Sequence, residues 1–569
     1  MKRVTLTGFA AVAALALVLV SASAAGIAGP ITLGGTVTVS SLNTTPGSVT
    51  GAPTNDTSGA SDTDPGMKVA GAIKKFHGKP VSVPTPEGQA VTGSTAFGFD
   101  AISHADQRLA DNGNQFSVEP PDQGLCVGGG YVLEGVNIAF RVFSTAGVPL
   151  TGTVSYNQFF TNDHAINRNV APVGARGWFL SDPKCYYDPD TNRFFMTILG
   201  INPDGFHAAQ FIAVTKTGDP TGAWYKYSFD TTDDGSNDTP NNPGCAAVGC
   251  FGDQPLIGAD KYGFYITTNE FGTGFNGAQV YAMSKTALES GTPGALVHIV
   301  TNGLAEGPAY TIQPATSPDA NYDTANGGTE YFLSALDFNG GLDGRIAAWT
   351  LTNTSSLDSA SPNVQLQSTI IKSESYGQPA PAEQKAGPSH FGGQETLNSN
   401  DDRMNQVVFA GGLVWGAVNT VVQTADGSTR TGIAWFAVDA HAKSQGALDA
   451  HVKQQGYVSV NGNNVLFPAI GVTSAGKAVM AFTLAGHDYY PSAAWLNLTG
   501  GDGAIHVSGV GAGPEDGFSG AGGGTARWGD YGAAVPGPNG SIWMASEFIT
   551  PRPRTVNANW GTYITSVTP

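Results

Sequence analysis

At 569 residues, with 77 glycines and only 13% charged side chains, the chain is suited to many short strands and tight turns, and a helix-rich fold is excluded. Its 45 acidic against 27 basic residues give a net charge of −18, with no Lys/Arg-rich run. Displacing the counterions of nucleic acid needs a basic footprint, so that class of partner is excluded as well.

The chain opens as an export signal. Lys2 and Arg3 form a positive start, Val4 to Val20 an apolar stretch, and Ala22-Ser23-Ala24 a small-residue cleavage site, which predicts residues 1–24 as a signal peptide cut near Ala24. No further apolar segment is long enough to span a bilayer, so the mature chain is expected to be secreted, with no membrane span and as a monomer. Residues 25–95 are rich in Gly, Ser, Thr and Pro without sustained periodicity and read as a disordered, flexible spacer.

From residue 96 to 569 a hairpin pattern recurs. An Asp or Pro opens it, an apolar run follows, then a polar turn and an aromatic or β-branched strand. FGDQPLIGADKYGFYITTNEF, from Phe251 to Phe271, shows it most fully, and related stretches begin at Asp122 and Asp182 and cover Leu466 to Leu484 and Gly529 to Phe548. Hairpins repeated at wide spacing predict an all-β fold, a single β-propeller of seven four-stranded blades, with six or eight as alternatives. The remaining blades are placed at Thr329 to Leu351 and Asn405 to Val422. The strand after Trp560 is expected to close the ring beside Phe97 to Ile102 or next to Trp543. Helix is expected only at Lys285 to Gly291 and, for a turn or two, within Ala440 to Gln455.

Export permits disulfides, and the cysteines are even in number. Of three possible pairings, Cys245 with Cys250 is favoured because they share one short loop, leaving Cys126 with Cys185 at comparable positions of the first two hairpins.

The stretches SDPKCYYDPDTNRFFMTIL, GDQPLIGADKYGFYITTNEF, FPAIGVTSAGKAVMAFTLAGHDYYPSAAW and RWGDYGAAVPGPNGSIWMASEFI are similar to those of a family of uncharacterised bacterial secreted β-propellers. The resemblance covers the folded region. It implies a fold and an extracellular address, and it transfers no reaction, ligand or catalytic residue.

Asp122, Asp182, Asp253 and Asp530 each precede an inner strand, where they either converge on one channel mouth as a polar or cation site or cap their own turns. Arg527, Glu270, Glu547, Tyr489 and Tyr490 complete the expected ligand-binding set, with Asn137, Asn269, Trp528 and Tyr531 beside them. Asp230, Asp233, Asp234 and Asp238 crowd one loop with oxygen ligands suited to calcium, although without the order of an EF-hand. No cofactor is required otherwise. The nucleophile-elbow, zincin and P-loop motifs are missing, so the expected function is an extracellular module binding a polysaccharide or protein through one face of the ring. A glycoside hydrolase or lyase using a carboxylate pair such as Asp530 and Glu547 is the alternative, and a structural envelope or matrix role the third.

Overall fold

The computed structural model describes residues 26–28, 31–47, 81–113, 115–166, 177–202, 207–242, 244–245, 249–301, 304, 308–336, 341–388, 394–443, 447–515, 524–552 and 559–569. The signal peptide, its cleavage site and residues 48–80 lie outside them. The fold is almost entirely β. Strands follow one another in antiparallel groups of four, each group a meander from an inner to an outer edge.

The first group is Gly124–Gly128, Tyr131–Val136, Ala139–Ser144 and Val154–Ser155. The second runs through Phe179–Asp188, Arg193–Ile201, Ala208–Thr215 and Ala223–Asp230, and the third through Phe251–Ala259, Gly263–Phe271, Phe275–Ser284 and Leu296–Val300. Next come Gln313–Thr316, Thr329–Ser334, Asp343–Thr352 and Gln365–Tyr376, then Val407–Ala410, Leu413–Gln423, Thr429–Lys443 and Ala447–Val458. Asn463–Val472, Ala478–Gly486, Ser492–Asn497 and Ile505–Gly509 precede a last group of Ala533–Pro536, Ile542–Ile549 and Trp560–Val567.

That last group is completed from the other end of the chain. Phe97–Ser103 pairs antiparallel with Trp560–Val567, which also pairs with Ile542–Ile549, so Ser566 stands between Phe97 and Trp543. Both expected closures are met by one strand. Closing a ring in this way ties Phe97–Ser103 to the last strands of the chain and seals the seam between the final group and the first.

Apolar clusters fill the spaces between successive groups. Phe195, Ile212 and Val214 of the second pack with Phe264, Ile266 and Tyr281 of the third, and Val132 and Phe143 of the first pack with Trp543 and Ile564 of the last. Sheets covered on both faces need apolar residues on both, which is why Gly263–Phe271 and Ile542–Ile549 are buried at every position rather than at alternate ones. This is the layered organisation of a β-propeller. Among the described residues no helix is long and apolar enough to cross a membrane.

Three expectations change. Residues 25–95 are not a spacer throughout: Gly26–Ala28 and Thr32–Thr38 add fifth strands to the third and second groups, and Val91–Gly93 pairs parallel with Ile505–Gly509. The reason is edge chemistry, because the outermost strand of a blade presents unpaired backbone groups that a Thr/Gly-rich segment satisfies while burying Ile31, Val37 and Val39. Ala440 to Gln455 is a long antiparallel hairpin rather than a helical turn. The fourth blade begins at Gln313–Thr316, ahead of the expected hairpin, whose strands are its second and third. The helix expected at Lys285 forms over Lys285–Ser290, with Ser284 accepting from Ala287 N–H at its start.

Both expected disulfides are present. Cys126–Cys185 joins the inner strands of the first two groups and Cys245–Cys250 closes its short loop, with Cα atoms 5.3 and 4.9 Å apart.

Candidate functional site

Five of the inner strands carry a sharp backbone turn, either just before the strand or within it. Asp122, Asp182, Gln254, Thr311 and Phe467 all have φ between 45° and 59°. Left-handed backbone is easiest for Asp and Asn among residues with a Cβ, so Asp122 and Asp182 first answer a backbone requirement, while Asp253 stands beside the left-handed Gln254. The turns face inward, and the carboxylates therefore meet. Asp122 lies close enough to Asp530 and Asp182 for their charges to oppose its ionisation, and burial adds a larger effect, holding its carboxyl well above the ordinary range.

Most of these groups are already engaged. Asp182 accepts from Tyr531 Oη at 2.9 Å and from Ser181 Oγ at 3.0 Å. Asp530 accepts from Asn400 Nδ2 at 2.9 Å and from Arg527 at 3.0 Å. Asp122 accepts from Asn137 Nδ2 at 2.7 Å, while its second oxygen is buried without a hydrogen-bond partner among the described residues. Asp253 accepts from Gln254 N–H at 2.9 Å and lies near enough to Tyr531 and Tyr310 to affect both. Glu547 is buried behind the rim, accepting Gly529 N–H at 2.8 Å, and burial raises its carboxyl well above the usual range.

Sequence reasoning named Arg527 but missed two other cations of the rim, Arg403 and Lys184, and their partners. Arg403 holds Asp401 through two bonds of 2.6 and 2.7 Å, donates to Gln254, and stacks 5.0 Å over Tyr310. It arrives on the connection before the fifth blade, where a DDR run gave no spatial cue. Lys184 sits 3.0 Å above the Tyr531 ring, and burial pushes its amine down to about 8 against the pull of Asp182, Asp122 and Asp530. Its position two residues after Asp182 was the available signal.

The inner strands enclose a cavity of about 290 Å³, lined by Leu125, Leu256, Ile257 and Val535 together with Gln123, Lys184, Gln406 and Tyr531. Gln406 is consumed by the Ala534 backbone. Lys184 Nζ and Gln123 Oε1 are buried with no hydrogen-bond partner among the described residues. A neutral ligand with hydroxyls that both donate and accept matches that pair, and an apolar wall with few oriented polar groups is the usual form of a small-molecule site.

The other expected residues lie elsewhere. Tyr489 packs on the core between the fifth and sixth groups and Tyr490 lies under Lys385, 5.3 Å from its amine. Trp528 is buried and donates to Thr483. Asn137 and Asn269 join neighbouring blades rather than facing a ligand, through bonds to Asp182 N–H and Thr311 N–H of 2.7 and 2.8 Å. The four loop aspartates do not form one oxygen cage: among the described residues no three of them bring carboxylate oxygens within 4.8 Å of one another. Asp230 caps Thr232 and Asp234 caps Ser236.

Asp233 turns inward to Glu270 instead. Asn242 Nδ2 donates to both acids at 2.9 to 3.0 Å, and Gln279 donates to Glu270 at 2.8 Å. Burial, then the charge of Glu270, pushes Asp233 up to about 9, and burial pushes the adjoining His298 down to about 4. An unfolded aspartate releases its proton near pH 4, so folded Asp233 favours the native state fully below that value and loses this contribution as pH rises through about 9. His298 acts in the opposite sense from about pH 4 to about 6.5. Between pH 7 and 9 the wild type should therefore lose up to about 1.4 kcal/mol per pH unit from this proton, and Asp233→Asn, which keeps a donor toward Glu270, should lose less. Urea unfolding across that range checks it, and parallel curves for the two proteins would refute it.

No family model matches the chain, and no curated protein matches it. Among solved structures it is similar to a triple mutant of AofleA from Arthrobotrys oligospora at 12% identity and TM-score 0.30, covering 76% of this chain and 96% of that one. It is similar to an exo-β-1,3-galactanase from Clostridium thermocellum at 12% identity and TM-score 0.26, covering 79% and 96%. The native arabinanase of Bacillus subtilis gives 11% identity and TM-score 0.25, covering 68% and 96%.

Proposed function

We propose that this chain is an extracellular, seven-bladed propeller that binds a saccharide end in its central channel without transforming it. The count of seven is supported by the four-stranded groups and the apolar clusters between them, the last of which joins the final group to the first. An extracellular address is supported by the two disulfides. One observation carries the binding reading: in a cavity of about 290 Å³, Lys184 Nζ and Gln123 Oε1 lack hydrogen-bond partners among the described residues, whereas the acids of the rim are bonded to the protein. A sugar hydroxyl can accept from the first and donate to the second.

Glycoside hydrolysis is the second reading. It is supported by Asp122, whose carboxyl is raised well above its ordinary range by burial and then by the charges of Asp530 and Asp182, the direction a general acid beside a carboxylate needs. Against it, Asp122 has no exposed surface from which to reach a substrate.

The full chain should be screened on a glycan array and its hits followed by calorimetry and reducing-sugar release. The binding reading expects saturable binding, no release, and affinity at least about tenfold weaker in Lys184→Met and Gln123→Ala, the loss of roughly one to two hydrogen bonds with their partners left buried. Release that stops in Asp122→Asn would transfer the assignment to the hydrolase, and no saccharide binding at all would sink both.

A further inference from the structure

The longest pair of adjacent strands among the described residues carries chemistry that the channel does not use. Strands Thr429–Lys443 and Ala447–Val458 pair so that Asp439 faces His451 and His441 faces Asp449. Side chains alternate across a strand, and Ala440 and Leu448 point into the core between the fourth and fifth groups. Asp439, His441, Asp449 and His451 therefore share the outer face. They form two His–Asp pairs of opposite order on adjacent rungs.

Their donor atoms already gather on one carboxylate. His441 Nε2 stands 2.7 Å from Asp439 Oδ1, and His451 Nε2 stands 3.9 Å from Asp439 Oδ2. Ligands about 2.0–2.2 Å from a shared ion stand roughly 3–3.5 Å apart, a separation those two distances bracket. Among the described residues the three donors do not all lie within 4.8 Å of one another, so an ion would draw the imidazoles inward by side-chain rotation. The His441 and His451 side chains are 69% and 63% exposed, which leaves both rings room to rotate. Asp439 is 24% exposed and fixes the centre. Asp449 is held by Lys443 at 2.8 Å, which leaves a three-ligand set with an open position.

We propose that this hairpin face is a binding site for a borderline divalent cation such as Zn²⁺, with His441, His451 and Asp439 as its ligands. Two imidazoles and a carboxylate suit zinc, copper or nickel, whereas calcium prefers oxygen alone. The site is independent of the channel, on a different blade surface, and makes no use of the saccharide reading.

The test is calorimetric titration of the full, chelator-treated chain with ZnCl₂ and then CaCl₂, alongside thermal melts. Wild type should bind one Zn²⁺ saturably, melt higher with excess Zn²⁺, and show no comparable response to Ca²⁺. His441→Ala/His451→Ala should melt as wild type without metal and bind Zn²⁺ at least about tenfold more weakly, and Asp439→Asn should weaken it in the same direction. Absence of saturable Zn²⁺ binding in wild type, or equal affinity in the double histidine variant, would overturn the proposal.

Discussion

Asn137→Ala should lower the unfolding free energy by about 3–5 kcal/mol, the largest loss expected from any single polar side chain here. Asn137 is 1% exposed and makes four bonds at the junction of the first two blades. Its amide oxygen accepts from Asp182 N–H at 2.7 Å and Ser181 Oγ at 3.1 Å, and its nitrogen donates to Pro120 O at 2.9 Å and Asp122 Oδ2 at 2.7 Å. Truncation strands a buried N–H, a carbonyl and a carboxylate that are all beyond the reach of water, at about 1–3 kcal/mol each before relaxation. Asn137→Asp keeps the acceptor but loses both donor bonds beside the Asp122 carboxyl, so it should not rescue. The same side chain recurs two blades on and again two blades later: Asn269 accepts Thr311 N–H at 2.8 Å, and Asn419 accepts Phe467 N–H at 2.7 Å. In each case the bonded N–H belongs to a left-handed residue of the next blade's inner strand or of the turn just before it. Urea unfolding of the three alanine variants should therefore give losses of similar size. A loss under about 1 kcal/mol in Asn137→Ala would mean that water or a shifted backbone replaces the latch.

How far the fold could be read in advance depended on whether a feature answers to its own neighbours or to distant ones. Hairpins opened by Asp122, Asp182 and Asp253 were legible because the left-handed turn, the apolar run and the polar loop are all local. The fourth blade was misplaced because its inner strand is only Gln313–Thr316, and Thr311 rather than an acid takes the left-handed position. Ala440 to Gln455 has Ala, Lys and Gln, good helix formers, yet its alternate residues Ala440 and Leu448 fit the face of the fourth blade, and tertiary burial overrode propensity. The N-terminal strands were unreadable for a related reason. Thr32–Thr38 has little to bury by itself, and what orders it is the exposed edge at Ala223–Asp230, nearly two hundred positions away in a folded blade. At the rim, the aspartates could be found from their turns. Their partners could not, because Arg403 and Asn400 reach the mouth on a connection whose path is set by the short parallel pairing of Thr396–Leu397 with Thr525–Ala526.

Removing the Cys126–Cys185 bridge as a paired serine variant should cost about 4 kcal/mol, against about 2 kcal/mol for Cys245–Cys250, if loop closure in the unfolded chain dominates. The first bridge spans 59 positions and the second only 5, and the entropy withheld from the unfolded ensemble grows with the logarithm of that span. Place in the fold should widen the gap. Cys126 and Cys185 lie on the inner strands of consecutive blades, with Cys126 1% exposed in the cluster formed by Leu133, Phe140, Phe194 and Met196. Two serine hydroxyls there would enter an apolar junction, whereas an alanine pair would only leave a small void. The alanine variant therefore isolates the cross-link and the serine variant adds the polar cost, so alanine should be the milder of the two. Both should also loosen the channel, because Lys184 immediately precedes Cys185 and its stacking on Tyr531 depends on where that inner strand sits. Denaturant midpoints of the oxidised wild type and the two double variants measure the first effect, and saccharide affinity the second. If the Cys245–Cys250 variants lost as much stability as those at Cys126–Cys185, neither span nor the blade junction would be setting the strength of these bridges.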